Sequence, residues 1–283
     1  MTQPTGSGAS WLAANMDGTT LTAWTVTGGT AGPAQVQRLQ DASPAALAAG
    51  LRRVRSSDAQ PLVLGGSGLV PPQNVPAEPA GMRLAAVELE ELTVHAMPGL
   101  SQPAPCGLIQ GAAARLRGFL KLNPDWDGVV CLPGSTVTHW VQVSAREAVS
   151  FQSALTGQIA AAVMQPMALN ADTSCGKAAL TAAAADGIAK PELLAARLAA
   201  LQAEARLGHL PAEDACGRLW GLLLGPELAA SRPYWLGQNA ALLADAPLQA
   251  IYTTALEAQG LPVTVADPQR MTLEGLTKAW TAG

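Results

Sequence analysis

The sequence predicts an α/β protein built from two similar halves, and three observations carry that expectation. Two strand–turn–strand units with small polar tips, within Trp11–Val26 and Val129–Val143, each open one half of the chain. Around them, apolar runs of strand length alternate with longer stretches of helical spacing. Hydrophobic residues make up 49% of the chain but aromatics only 4%. Cores of small side chains carried on helices therefore fit better than an all-β architecture. A chain of 283 residues is long enough for two modest domains, each with a core of its own.

In order, residues 1–10 are a polar Gly/Ser/Thr/Pro lead-in expected to be disordered. The N-terminal half is then 11–127 and the C-terminal half 128–283. Trp11–Ala14 reads as a strand, Asn15–Thr20 as its tip, and Leu21–Val26 as the return strand. Gly28–Pro33 is a turn, and Ser43–Arg55 a helix capped by Ser43 with Pro44 in its first turn. Pro61–Leu64, Leu84–Val87 and Leu92–Met97 read as strands, the first two separated by the proline-rich PPQNVPAEPAG, expected to hold no regular structure. Leu108–Leu122 has helical spacing and ends at Asn123–Pro124–Asp125.

The second half opens on the apolar run Val129–Leu132, broken by Pro133–Gly134 and resumed as the alternating Val137–Val143. Helices are expected at Leu155–Met167, Pro191–Leu207, with Leu193, Leu194, Leu198 and Leu201 inward, and Pro211–Leu224. A strand at Ala240–Leu243, a helix at Pro247–Gln259, a short strand at Val263–Val265 and a helix at Thr272–Trp280 complete the alternation. Trp24, Trp140, Trp220 and Trp235 are read as core or interface residues.

Several functions are excluded at once. A net charge of -4 without any Lys/Arg cluster leaves no electrostatic footprint for nucleic acid or an anionic membrane. The cysteines, Cys106, Cys131, Cys175 and Cys216, lie far apart with no spacing suited to a metal or redox motif, and read as buried thiols. No apolar run reaches the ~18 residues of a spanning helix, and the polar start lacks a signal-peptide pattern, so a cytoplasmic protein is expected.

Both hairpin tips offer backbone N–H groups and hydroxyls that can hold a phosphate, although the same composition makes an ordinary β-turn. The first tip supplies Asn15, Asp17, Gly18, Thr19 and Thr20, and the second Gly134, Ser135 and Thr136. At this level the chain resembles the duplicated sugar kinase, hexokinase, Hsp70 and actin superfamily. More closely, LAANMDGTTLTAW, LPGSTVTHWVQV and SALTG, with RLWGLLLGPELAASRPY and LLADAPLQAIYTTALEAQG further on, resemble the 2-dehydro-3-deoxygalactonokinase family in order and at similar spacing. The resemblance implies a two-domain actin-like ATPase (ribonuclease H-like) fold with a duplicated strand-turn-strand unit and a cleft between the halves. It also implies transfer of a phosphoryl group from ATP, with magnesium, to a 2-keto-3-deoxy sugar acid. On that basis the two tips and Asp245 are assigned to the nucleotide, and Gly66, Ser67, Thr156 and Gly157 to the sugar acid.

The departures from the family fall where carboxylates are needed. Asn15 stands at the family's first-tip aspartate, and Asp17 at a glycine. A turn residue is the simpler reading of Asp17, because period 2 returns it to Asn15's face only if the strand has not begun to turn. Gln102–Gly107 replaces an acidic Arg-Gly-Glu-Glu run, and Gln158 replaces a glutamate. Asp245 replaces a glycine on the nucleotide side, adding charge and a Cβ where the nucleotide comes close. His139 stands near a family lysine or is a half-exposed strand histidine, and Glu227 reads as a solvated residue near a helix end. Two readings stay open: an active sugar-acid kinase that places its acids differently, at Asp17, Asp125 or Asp127, or a catalytically inactive scaffold that binds a metabolite or a protein partner and needs no cofactor. In either case self-association into a homo-oligomer is compatible with the sequence.

Overall fold

The computed structural model describes residues 10–170 and 173–282. All but one residue of the lead-in 1–10 lies outside the described residues; the exception, Ser10, already belongs to the first strand. The first stretch runs β1 (Ser10–Asp17), β2 (Thr20–Thr27), β3 (Thr30–Ala31), β4 (Gln35–Arg38), α1 (Pro44–Val54) and β5 (Leu62–Gly65). It continues with β6 (Gln73–Asn74), β7 (Ala85–Leu89), β8 (Leu92–Ala96), β9 (Leu100–Pro103), β10 (Cys106–Ile109) and α2 (Gly111–Leu122). Then come β11 (Gly128–Leu132), β12 (Thr138–Ser144), β13 (Glu147–Ala154), α3 (Thr156–Met164), α4 (Lys177–Ala189) and α5 (Leu194–Arg206). The chain ends with α6 (Ala212–Ala230), α7 (Arg232–Trp235), β14 (Ala240–Leu242), α8 (Ala246–Glu257), β15 (Val263–Val265) and α9 (Pro268–Thr281).

Two compact units emerge. The first comprises the described part of Met1–Trp126 with Ser144–Val149 and Pro268–Gly283, and the second Asp127–Val143 with Ser150–Asp267. α9, although last in the sequence, thus belongs with the residues read first. Within each unit the sheet repeats one plan. In the first the order is β3-β2-β1-β5-β8-β7, with β4 also on β2, and in the second β13-β12-β11-β14-β15. In both, an antiparallel hairpin (β1 with β2, β11 with β12) lies beside two parallel strands (β5 and β8, β14 and β15). That is the duplicated strand–turn–strand design expected from the sequence. β6, β9 and β10 form a separate three-stranded sheet in the first unit.

Each unit has its own apolar core. Leu12, Leu21, Leu51, Leu62, Leu64 and Val94 centre the first, and Trp140, Leu219, Leu223, Leu242, Tyr252 and Leu256 the second. α1 forms where Ser43 caps it, its hydroxyl accepting from the Ala46 amide, with Pro44 at the first position and Leu47, Ala48 and Leu51 facing inward. α4 and α6 pack by another rule. A Cβ added to Gly217, Gly221 or Gly225 would fall 2.4, 2.3 or 2.6 Å from the carbonyl oxygens of Gly176, Leu180 and Ala184. Glycines spaced by four on α6 thus ride directly on the backbone of α4. In the first unit Gly118 of α2 and Gly275 of α9 meet in the same way, their added Cβ atoms 1.8 and 1.9 Å from the oxygens of Met271 and Ala114.

Some expectations need correction. α2 starts at Gly111 rather than Leu108, because Leu108 and Ile109 are still paired in β10. The proline-rich segment holds the two-residue strand β6 and a 3-10 turn at Pro79–Gly81; the carbonyls of Pro79 and of Met82, just after the turn, accept from the buried Arg117 guanidinium. α6 runs six residues past Leu224 and through Pro226. Leu193 is exposed, and only Leu201 of the four leucines expected inward is fully buried. Nor are all the cysteines buried thiols: Cys106 is exposed, and Cys175 and Cys216 form a disulfide. These two are 41 residues apart in sequence and meet because Gly176 and Gly217 sit in the α4–α6 contact.

Candidate functional site

In the first unit, β1 runs on to Asp17, which pairs with Thr20, so the hairpin turns only at Gly18–Thr19. Gly18 takes the positive φ of 60° that this two-residue loop requires. Asp17 is therefore the last residue of the strand, on the same face as Asn15, and the turn reading is corrected. Both lie against the start of α2: the Asn15 amide donates to the Gly111 carbonyl at 3.2 Å, and a Cβ added at Gly111 would be 3.3 Å from that of Asp17. Asn15 Oδ1 is buried and has no hydrogen-bond partner. Gly66, with φ 73° just after β5, closes the group; a Cβ there would fall 2.1 Å from the Met16 carbonyl oxygen. Ser67 accepts from the Leu69 amide at 3.4 Å.

These residues sit where the parallel strands β1 and β5 end and α2 begins, the edge at which open α/β sheets place their ligands. The helix start presents amides and the positive end of a dipole to that edge. Sequence reasoning overlooked a cation here. Thr20, opposite Asp17, is in turn opposite Arg38 of β4, so the exposed Arg38 shares the row of the first tip. The pairing of β4 with β2 is what brings it there, and nothing local in the sequence announces it. The residues preceding α2 carry no carboxylate from Gln102 through Gln110. Asp125 lies beyond the opposite end of α2.

In the second unit the tip after β11 is part of the α3 start. A Cβ added at Gly157 would lie 2.7 and 2.6 Å from the carbonyl oxygens of Gly134 and Ser135, and the Gln158 amide donates to Thr136 at 2.9 Å. Gly134, Ser135, Thr136, Thr156 and Gly157 are thus one contiguous piece. Asp245 follows β14, the parallel neighbour of β11, and is exposed at the start of α8 on the same edge of the sheet. Asp127 precedes β11, at the opposite edge. His139 is buried against β13, its Nδ1 2.8 Å from Ser153 Oγ, which is the strand-histidine reading in a more buried form.

Beneath this piece lies Glu227, which is buried rather than solvated. Its carboxylate accepts from Trp140 Nε1 at 2.9 Å, from Tyr252 Oη at 3.1 Å and from the Thr156 hydroxyl. Thr138 Oγ1 is 2.5 Å from the same tyrosine oxygen. Burial pushes the Glu227 carboxyl up to about 7 against the pull of its three hydrogen bonds. It also pushes the Tyr252 phenol well above its ordinary range, with the neighbouring Glu227 adding to the effect. Among the described residues no group of three or more His, Cys, Asp or Glu side chains is arranged to hold a metal. No helix among them is long and apolar enough to cross a membrane.

Two units of this plan, each with a hairpin tip beside a helix start, make up a two-domain actin-like fold. The model of the 2-keto-3-deoxy-galactonokinase family matches residues 19–279, and the chain belongs to that family. It is 29% identical over 282 residues to the 2-dehydro-3-deoxygalactonokinase of Escherichia coli (strain K12), covering 90% of this chain and 92% of the relative. Its fold is similar to the crystal structure of a Sinorhizobium meliloti protein assigned as a 2-dehydro-3-deoxygalactonokinase. The TM-score is 0.80 at 22% identity, over 96% of this chain and 98% of the other. The activator of 2-hydroxyisocaproyl-CoA dehydratase from Clostridium difficile, solved with bound ADPNP, shares the fold at a TM-score of 0.58 and 9% identity, over 96% and 95% of the two chains.

Proposed function

We propose that this protein is an ATP-dependent kinase of 2-dehydro-3-deoxygalactonate or a closely similar 2-keto-3-deoxy sugar acid, with Asp17 as its first-tip carboxylate in place of the one lost at Asn15. The observation that carries this reading is the extension of β1 to Asp17, which puts an acid on Asn15's face beside the α2 start. Magnesium usually needs only one or two protein carboxylates when nucleotide phosphates supply the remaining ligands. Asp17 suits that requirement. When bound, the ion would offset negative charge on the transferred phosphoryl group. The chain's own share is positional. Gly18, Thr19 and Thr20, with Arg38 in their row, offer amides, hydroxyls and a cation to phosphate; Gly134, Ser135 and Thr136 offer the equivalent in the second unit. Because phosphoryl transfer passes through a loose transition state, positioning and electrostatics supply most of the acceleration. Losing a proton-accepting acid therefore slows such a site without abolishing it.

The neutral run Gln102–Gln110, in the place of a paired acid, supports a second reading, a scaffold that binds a metabolite or protein without turnover. One experiment separates them. The purified protein is supplied with magnesium-ATP and 2-dehydro-3-deoxygalactonate, and ADP release is followed by a coupled assay. The kinase reading expects slow turnover that falls at least ~100-fold in Asp17→Asn, as for other groups acting only in the transition state. Absence of sugar-acid-dependent ADP release at any enzyme concentration refutes it in favour of the scaffold.

A further inference from the structure

Three segments of the second unit lie at the proposed nucleotide edge, the Gly134–Thr136 tip and Asp245, assigned to the nucleotide, and the α3 start, which packs on that tip; Glu227 is bonded to an element carrying each of them. The tip Gly134–Thr136 leads into β12, which supplies Trp140 and, through Tyr252, Thr138. The start of α3 supplies Thr156 itself, and α8, which begins just after Asp245, supplies Tyr252 two turns along. Nothing caps α3 from its own side, since Leu155 makes no side-chain cap bond; the Thr156 hydroxyl turns to Glu227 instead. Glu227 in turn is held on a fixed support, one turn beyond Leu223 and two residues after Gly225, whose added Cβ would touch Ala184 and Gly187 of α4. A buried carboxylate is an expensive way to satisfy one indole and two hydroxyls, so its presence here calls for more than core packing.

We propose that Glu227 is a positioning residue for nucleotide binding: by holding Thr156, Trp140 and Tyr252 at once it fixes the α3 start against the Gly134–Ser135 tip and sets the angle of α8. The proposal rests on the reading that these segments serve the nucleotide. It does not place Glu227 in contact with substrate, and it assigns the residue no part in the first unit.

The test uses the full chain at pH 8, where the Glu227 carboxyl has lost its proton, carrying Glu227→Gln, which keeps an acceptor for Trp140 but turns one oxygen into a donor facing two hydroxyls. Thr156→Val, nearly isosteric, removes only the arm to α3. With folding checked by circular dichroism, both variants are expected to raise the dissociation constant for magnesium-ATP at least tenfold. Unchanged ATP affinity in both variants overturns the proposal. Hydrogen exchange on ligand-free protein gives a second, independent readout. The amides of Gln158 and Ile159, bonded to the Thr136 and Leu155 carbonyls, should lose at least tenfold protection in both variants, with those of α2 unchanged. If the wild type binds no ATP, the kinase reading fails by itself, and the exchange result alone decides whether Glu227 positions the tip: retained protection refutes it. Should Glu227→Gln not fold, Thr156→Val carries both measurements.

Discussion

Glu227 ties this protein's stability to pH in a way that can be calculated from its surroundings. Its folded-state carboxyl sits at about 7, above the ordinary 4.5, because burial outweighs the bonds from Thr156, Trp140 and Tyr252. A raised carboxyl keeps its proton in the folded protein while the unfolded chain loses one. Its contribution is thus complete below the unfolded value and is lost as pH rises from about 4.5 through about 7. The loss should amount to ~3 kcal/mol at most. Titratable neighbours on the packed elements are Tyr252 on α8, whose phenol is held well above its ordinary range, and Cys131 on β11. Urea midpoints measured across this window should fall for the wild type, and the difference from Glu227→Gln should narrow as pH drops. None of this was legible in the sequence, where a glutamate after Leu224-Gly225-Pro226 looks like a helix end. Only the continuation of α6 through the proline buries it. Asp17 shows the converse: the periodicity rule that decides its face was available from the sequence, but the length of β1 was not.

At the level of elements, legibility followed the kind of signal. α1, β5, β14 and α8 were readable because a cap, a β-branched or leucine run, or a proline at the first turn marks each locally. α4 was not, since KAALTAAAADGIA forms a helix through alanine's propensity and has no clear apolar stripe. The β12–β13 hairpin was hidden for another reason. Its loop residues Ala145 and Arg146 adopt φ of 49° and 71° without the Gly or Asn that ordinarily signals such a turn. Glu90 and Glu91 do the same between β7 and β8. The four-residue glycine spacing on α6 was visible, but its meaning depended on the unrecognised partner helix. It carries a clear expectation. Gly221→Val would drive side-chain carbons into the Leu180 carbonyl region, only 2.3 Å from the Cβ position, and should cost about 2–3 kcal/mol in denaturant unfolding. A substitution at Gly237, whose Cβ would meet nothing within 4 Å, escapes such a clash but not the strain of its φ of 73°.

For the whole molecule, the duplicated plan could be read because both hairpins have alternating strands and small polar tips. The chain's return to its first unit could not, because helical spacing in Thr272–Trp280 does not say which core receives the helix. α9 lies against α2 through Gly118 and Gly275, and its Trp280 ring sits 5.9 Å from Trp11 and 5.0 Å from His95. Removing residues 268–283 should therefore expose α2 and β1 and leave the α4–α6 pair intact. Hydrogen exchange of the shortened chain should show protection lost in the first unit and retained in the second; equal loss in both would mean that the two stabilities are not separable.

The same return path sets an order of events during synthesis. Everything the second unit needs from its own stretch has been synthesised by Asp267, whereas the first unit, begun earlier, waits for α9. At usual elongation rates the nascent α2 spends roughly ten to thirty seconds with its Gly118 face uncovered. The half of the protein that is translated first is thus the half that matures last, and in the interval it is the segment most in need of a chaperone.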